Sequence, residues 1–369
     1  MIMIKRLVSA ALSVLVFASC SEPVLPEDSW DPDVRRSLIS LIKEYGNKSK
    51  TYDENCRPYA VFDFDNTSII GDISNNLMTY QVEHLIFGPG NIADGFLTGI
   101  PDTTVRFEDS GFTARELSEV LVRDWGVLKA KQSSGMPLEE IHKTPEYLEF
   151  RAAFMDLYEG VCSGFEYGAQ CLWMPALLSG MPQEEARALV RKSTEARLAD
   201  GVHKREKWVS PDGDFRAEAP LGIVITPEMR HLFEALEANG IDIYICSASL
   251  EFFVETLACD PEIGFGLDPE KVYGLRFTDG DTVVPIWEEG YIKTWKEGKV
   301  ECIRSLIAPL HCGREPILVG GDSNGDVAML TAFPEMRHGL IWDRGGQGEI
   351  AALASRARQE HNRGIYLVD

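Results

Sequence analysis

Residues 59–62, Tyr-Ala-Val-Phe, run without a polar break into Asp63 and, two positions later, Asp65, with Asn66-Thr67 behind them. A short apolar run bounded by turn formers reads as a buried strand. Asp, Asn and Thr are ordinary turn residues, so this ending alone needs no function. The constraint comes from whether other strands end in the same way.

From Leu221 onward the chain alternates. Residues 226–240, TPEMRHLFEALEANG, read as a helix with Pro227 at its start and Gly240 just past its end. A buried strand follows at 241–249, IDIYICSAS, and then a helix at 250–258. Residues 271–287, KVYGLRFTDGDTVVPIW, have alternating patches about an Asp-Gly turn and predict a short hairpin. Next come a helix at 299–309, the strand PILVGGDSNGD, a helix at 326–333, the strand GLIWD, a helix at 348–360 and a last strand, GIYLV. Alternating strands and helices predict an α/β fold, a three-layer Rossmann-like core with a mostly parallel sheet. In such sheets, sites form outside the carboxyl ends of the strands. Asp63, Ser247 and Asp322 all fall at such ends.

Between Asp72 and Leu221 the apolar spacing is helical instead, as in 113–132, 145–160 and 182–201, with loops at 87–96 and 163–171. The predicted division is therefore a core of 51–72 and 221–369 and a large helical cap, 73–220, inserted after the first core strand. Lys5-Arg6, an apolar run from Leu7 to Ala18 and Ser19-Cys20 make 1–19 a signal peptide too short to span a bilayer comfortably. Residues 20–50 are expected to be a tether and N-terminal segment, since SEPVLPEDSWDPD is rich in Pro and acid.

Composition excludes some partners. With 36 basic against 58 acidic residues the formal net charge is −22, spread along the chain, and such a surface repels phosphate backbones, so nucleic acid is not an expected partner. Seven cysteines lie beyond Cys20, so a fully paired framework is impossible; they include no Cys-x-x-Cys that would suggest zinc. Cys162 and Cys171, close in sequence, could pair after export, or all seven could remain free; Cys246, within a core strand, is expected to be buried and free.

Asp63-Phe-Asp65-Asn66-Thr67, then Ser247, then Lys299 in TWKEGKVECIRSLI, then Asp322 and Asp326 in ILVGGDSNGDVAML occur in an order that resembles the four motifs of the haloacid-dehalogenase-like (HAD) superfamily. Lys293 and Lys296 rival Lys299, which follows Gly298 and opens an apolar helix; Asp326 also reads as a simple helix-start acid. The resemblance implies Asp63 as nucleophile and Asp65 as general acid and base, with Ser247 and Lys299 completing the catalytic set. It implies phosphate contacts from Asn66, Thr67, Ser247, Ala248 and Lys299. Mg²⁺ is the implied cofactor, with Asp63, Asp65 through its main-chain carbonyl, Asp322 and Asp326 as candidate metal-site residues. A second aspartate at position 65 implies phosphoryl chemistry on an alcohol and not dehalogenation.

The inserted helices resemble the cap of the phosphoserine-phosphatase-like branch. Within it the chain is similar to bacterial secreted phosphorylcholine phosphatases, on FDFDNTS, CLWMPALLSG, LFEALEANGIDIYICSAS, ACDPEIGFGLDPEKVYGL, TWKEGK and PILVGGDSNGD. The implied substrate is a small phosphomonoester, phosphorylcholine-like or phosphoserine-like. A quaternary ammonium wants aromatic faces and a carboxylate. Trp125, Tyr147, Phe150, Phe154, Tyr158, Tyr167 and above all Trp173 are the aromatic candidates; Ser74-Asn75-Asn76 stand where an acid for choline is expected. Cys20 after Phe17-Ala18-Ser19 resembles a bacterial lipobox, which implies an exported, periplasmic or outer-membrane-attached lipoprotein of a Gram-negative bacterium, touching membrane only through that lipid. A non-catalytic binding lipoprotein on the same scaffold is the alternative.

Overall fold

The structure, a computed structural model, describes residues 24–369. The signal-peptide and lipobox readings, Cys20 included, fall outside the described residues. Eight strands are present among the described residues: β1 (Tyr59–Phe62), β2 (Lys204–Val209), β3 (Arg216–Leu221), β4 (Asp242–Leu250), β5 (Val272–Leu275), β6 (Leu318–Gly321), β7 (His338–Ile341) and β8 (Tyr366–Val368). Six form one sheet in the order β5-β4-β1-β6-β7-β8, and every neighbouring pair is parallel. β1 is buried along its whole length, as its unbroken apolar run requires when helices cover both faces. Its neighbours β4 and β6 continue the sheet on opposite sides, so the carboxyl end of β1 is a topological switch point.

Three readings of the sequence need correction. The segment expected as a tether is not loose from Leu25 on. Leu25 and Trp30 are buried, and Pro32–Tyr45 is a helix that inserts Val34, Leu38, Leu41 and Ile42 into the main core. Asp31 caps that helix, and its spacing of apolar residues every three or four positions is an ordinary amphipathic signal hidden behind the acidic stretch. The predicted hairpin at 271–287 opens on a parallel strand, β5, and is a hairpin only beyond it, where Phe277 and Trp287 make an antiparallel bridge flanked by hydrogen bonds from Thr278 N to Ile286 O and from Glu288 N to Arg276 O. The inserted region is not wholly helical: β2 and β3 form an antiparallel hairpin closed at Ser210–Phe215. Its inner face, Trp208, Phe215, Ala217 and Ala219, packs into the cap's own core with Phe150, Phe154 and Trp173. Pro211-Asp212-Gly213 is the turn signal that marks it.

The chain leaves and re-enters the sheet region side by side. Ile70 pairs with Val224, and Gly71 and Gly222, both in the left-handed region at φ +97° and +96°, pack against each other. Asn76 clamps the two crossings: its Oδ1 accepts from Gly222 N at 2.7 Å, and its Nδ2 donates to Gly222 O at 3.1 Å and Asp72 O at 2.8 Å. The cysteines also differ from expectation. Cys56 and Cys312, 256 positions apart, form a disulfide. Cys162 and Cys171 are free on two separate helices, Pro145–Gly164 and Tyr167–Ala176. Cys246 is buried and free.

Candidate active site

The polar ends of β1, β4 and β6 meet in one cavity of about 210 Å³. Its wall includes Asp63, Asp65, Asn66, Ser247, Ala248, Lys299, Asp322 and Asp326. Lys299, only 2% exposed, lies between two carboxylates: its Nζ donates to Asp63 Oδ1 at 2.6 Å and to Asp326 Oδ1 at 2.7 Å. The rival lysines are elsewhere; Lys293 lies over the Trp287 ring, and Lys296 begins the turn leading to the Glu297–Cys302 helix that carries Lys299. Gly298 allows that approach, since a Cβ there would lie 1.8 Å from Lys293 O.

Both carboxylate oxygens of Asp326 accept hydrogen bonds. Its Oδ2 accepts from Asp322 N, Ser323 N and Ser323 Oγ, at 3.0–3.1 Å, while Oδ1 takes Lys299. Gly321 makes this possible, because a Cβ there would come within 2.5 Å of the Asp326 Cβ. Asp322 Oδ1 accepts from Thr67 Oγ1 at 3.2 Å and Oδ2 from Arg344 Nη1 at 2.7 Å. Thr67 therefore supports Asp322 and faces an adjoining cavity; it does not line this one. Asp63, Asp322 and Asp326 each offer a carboxylate oxygen, all within 4.8 Å of one another, an all-oxygen set suited to a hard divalent cation. Asp65 stands outside that triad. Ile73 N donates to its Oδ1 at 2.7 Å and Ser249 Oγ to its Oδ2 at 2.6 Å. Ser247, 1% exposed, ends the straight part of β4, and Ala248 follows it on the cavity wall.

Electrostatics separates these groups. Burial and then the Asp326 charge outweigh Lys299 and push Asp63 up to about 8. Burial works against the charge on Lys299, yet Asp326 and Asp63 hold it above its ordinary value. Burial, then Asp72, pushes Asp65 well above the carboxylate range, against its bonds to Ser249 and Ile73. Asp65 is thus poised to hold a proton, and Lys299 to keep its charge.

Trp173 corrects another expectation. It is fully buried, donates from its ring nitrogen to Phe96 O at 2.9 Å, and packs on Phe154 and Tyr158 inside the cap. Trp125, Tyr147, Phe150 and Phe154 belong to the same cluster. Of the aromatic candidates, Tyr158 and Tyr167 reach the cavity. The sequence reading missed Trp295, Asp72, Ser249 and Arg344 on its wall; Ser74, which stands where an acid for choline was expected, lines it too. Asp72 caps the Ile73–His84 helix, with Oδ1 accepting from Asn75 N at 2.7 Å; an Asp before a helix reads as a cap, which conceals that it also faces the cavity. Arg344 follows a strand end, Ile341, and that position was its available signal.

Residues 146–331, half of the chain, match the family of haloacid dehalogenase-like hydrolases, and the chain belongs to it. Among individual proteins, it is 23% identical over 254 residues to the phosphorylcholine phosphatase of Pseudomonas aeruginosa. That match covers 67% of this chain but only 55% of the relative, so the chain spans about half of that protein's length. A conserved protein of unknown function from Anaerococcus prevotii has the same fold throughout, with a TM-score of 0.82, 29% identity and 94% of each chain covered.

Proposed function

We propose that this hydrolase is a Mg²⁺-dependent phosphatase of small phosphomonoesters, acting through an aspartyl-phosphate on Asp63. The observation that carries the reading is the Lys299 ammonium held between Asp63 and Asp326, beside a second aspartate, Asp65, whose surroundings favour its protonated form. Asp63 and Asp322 would hold the metal, with Asp326 positioning Lys299. When bound, Mg²⁺ would offset the charge of the phosphoryl dianion and favour the ionised form of Asp63.

The protein's own groups account for the rest. Lys299 and the Ser247 hydroxyl bind phosphoryl oxygens and hold phosphorus in line with Asp63. Asp63 Oδ attacks phosphorus as the P–O bond to the alcohol breaks, and Asp65 gives its proton to the departing oxygen. Asp65, now ionised, takes a proton from the water that attacks the aspartyl-phosphate, releasing phosphate and restoring Asp63. The cap helices exclude bulk water and large esters.

The leaving group is read as one bearing an amine. Asp72, Tyr158, Tyr167 and Trp295 on the cavity wall supply a carboxylate and aromatic faces, which suit a phosphorylcholine-like or phosphoserine-like alcohol. Export and lipidation at Cys20 belong to the same proposal. Turnover of phosphocholine, phosphoethanolamine, phosphoserine and p-nitrophenyl phosphate with Mg²⁺ tests it. The expected result is chelator-sensitive hydrolysis, with kcat/KM for an amine-bearing or quaternary-ammonium ester at least about tenfold above that for ethyl phosphate, run beside them as an ester of an uncharged alkyl alcohol. No hydrolysis of any of the four would overturn the phosphatase reading, and equal rates would overturn the amine preference.

A further inference from the structure

The catalytic cavity is lined by five aspartates, Asp63, Asp65, Asp72, Asp322 and Asp326, and by two basic residues, Lys299 and Arg344. These two are mounted in opposite ways. Lys299 is 2% exposed and gripped by two carboxylates. The side chain of Arg344 is 45% exposed, and among the described residues its guanidinium bonds only to Asp322 Oδ2, at 2.7 Å. It is carried on a loop, Arg344-Gly345-Gly346-Gln347-Gly348, whose Gly345 has nothing within 4 Å of a Cβ. Arg344 also borders the cavity that Thr67 faces and a further one lined by Asp72, Tyr158 and His203, so its side chain has open space on either side.

We infer that Arg344 is a tethered placeholder cation on Asp322, one that lowers the affinity of the site for a divalent metal. This rests on the metal-site reading above. Asp322 lies close to Asp63 and Asp326, and three carboxylates within 4.8 Å repel one another. Lys299 compensates two of them, and Arg344 compensates the third. A divalent cation entering at Asp322 meets a positive charge already hydrogen-bonded to the same carboxylate. It must displace the guanidinium or bind beside it, and either course weakens binding. The fixed lysine keeps the site assembled; the movable arginine makes metal binding reversible. Arg344 acts here through Asp322 and is a positioning residue.

Mg²⁺ titration of the intact protein by calorimetry, without substrate, tests this. For Arg344→Gln the dissociation constant should fall by about five- to tenfold, and the melting temperature in chelator should drop as Asp322 loses its partner. Arg344→Lys, which keeps the charge, should stay near wild type in both measurements. A Gln variant that binds Mg²⁺ as wild type does, or more weakly, overturns the inference, the weaker case making Arg344 an ordinary support for the ligand. If wild type binds no Mg²⁺, the metal-site reading fails as well, so the two failures are distinguishable.

Discussion

Lys299 and Trp173 are both almost wholly buried, at 2% and 0% exposure, yet their surroundings have nothing in common. Lys299, on the floor of the cavity, is held by ions. Two carboxylates fix its ammonium, and one of them accepts three further hydrogen bonds from the loop after β6. Trp173, in the roof, is held by packing against aromatic rings, with a single hydrogen bond from its ring nitrogen. Removing a partner from the floor leaves a charge without compensation, whereas removing volume from the roof leaves a hole. Burial alone therefore does not mark function; what neutralises the buried group does.

The largest effect should come from the floor without disturbing its shape. Asp63→Asn is isosteric and should reduce turnover by roughly 10⁴-fold or more while the fold survives, because an amide is a poor nucleophile. Steady-state rates and circular dichroism on one preparation check this, and turnover within tenfold of wild type removes Asp63 from the reaction. Lys299→Met should both abolish most activity and destabilise the protein by about 3–5 kcal/mol, since Asp63 and Asp326 are left facing each other. A denaturant titration decides; a change below about 1 kcal/mol would mean that the floor is not held by ions.

Trp173→Ala tests the roof. It should cost about 3–5 kcal/mol of stability, and kcat/KM for phosphocholine and p-nitrophenyl phosphate should fall in equal proportion. Loss confined to phosphocholine would return Trp173 to the cavity wall. The smallest effect concerns Asp156, buried on the cap helix that carries Tyr158. Burial, aided by Glu159 and opposed by Ser110, pushes its carboxyl up to about 6 from an ordinary 3.8. The folded state then holds a proton that the unfolded chain releases, so this contribution is complete below about pH 4 and lost as pH rises through 6. Asp156→Asn should melt ~2–4 °C above wild type at pH 8 and no higher at pH 4. A gain at both pH values would point to packing instead of charge.

The same contrast explains what could be read from the sequence. The positions of Asp63, Ser247 and Asp322 were legible because each ends an apolar strand, and a parallel sheet brings such ends together. Lys299 was legible through the apolar helix it opens. Ser249 and Asp72 had no such frame: each side chain arrives through a strand irregularity or a helix cap whose local chemistry already explains the residue type. The roof was legible as helical yet not as a hairpin, because β2, Lys-Arg-Glu-Lys-Trp-Val, buries only Trp208 and so has no apolar alternation to read. Trp173 was misplaced because aromatic content marks a binding wall and a packed interior alike. The Cys56–Cys312 pairing depends on contacts 256 positions apart, which no local pattern encodes.

The seating of Leu25 bears on where this molecule can work. Leu25 is fully buried, and its carbonyl accepts from the Arg35 guanidinium, so the chain is already seated in the core at that point. An extended chain advances at most ~3.3–3.6 Å per residue, so the interval from Cys20 to Leu25 reaches no further than about 18 Å. Were Cys20 lipidated, as proposed above, that interval would keep Leu25 within about 18 Å of the anchor.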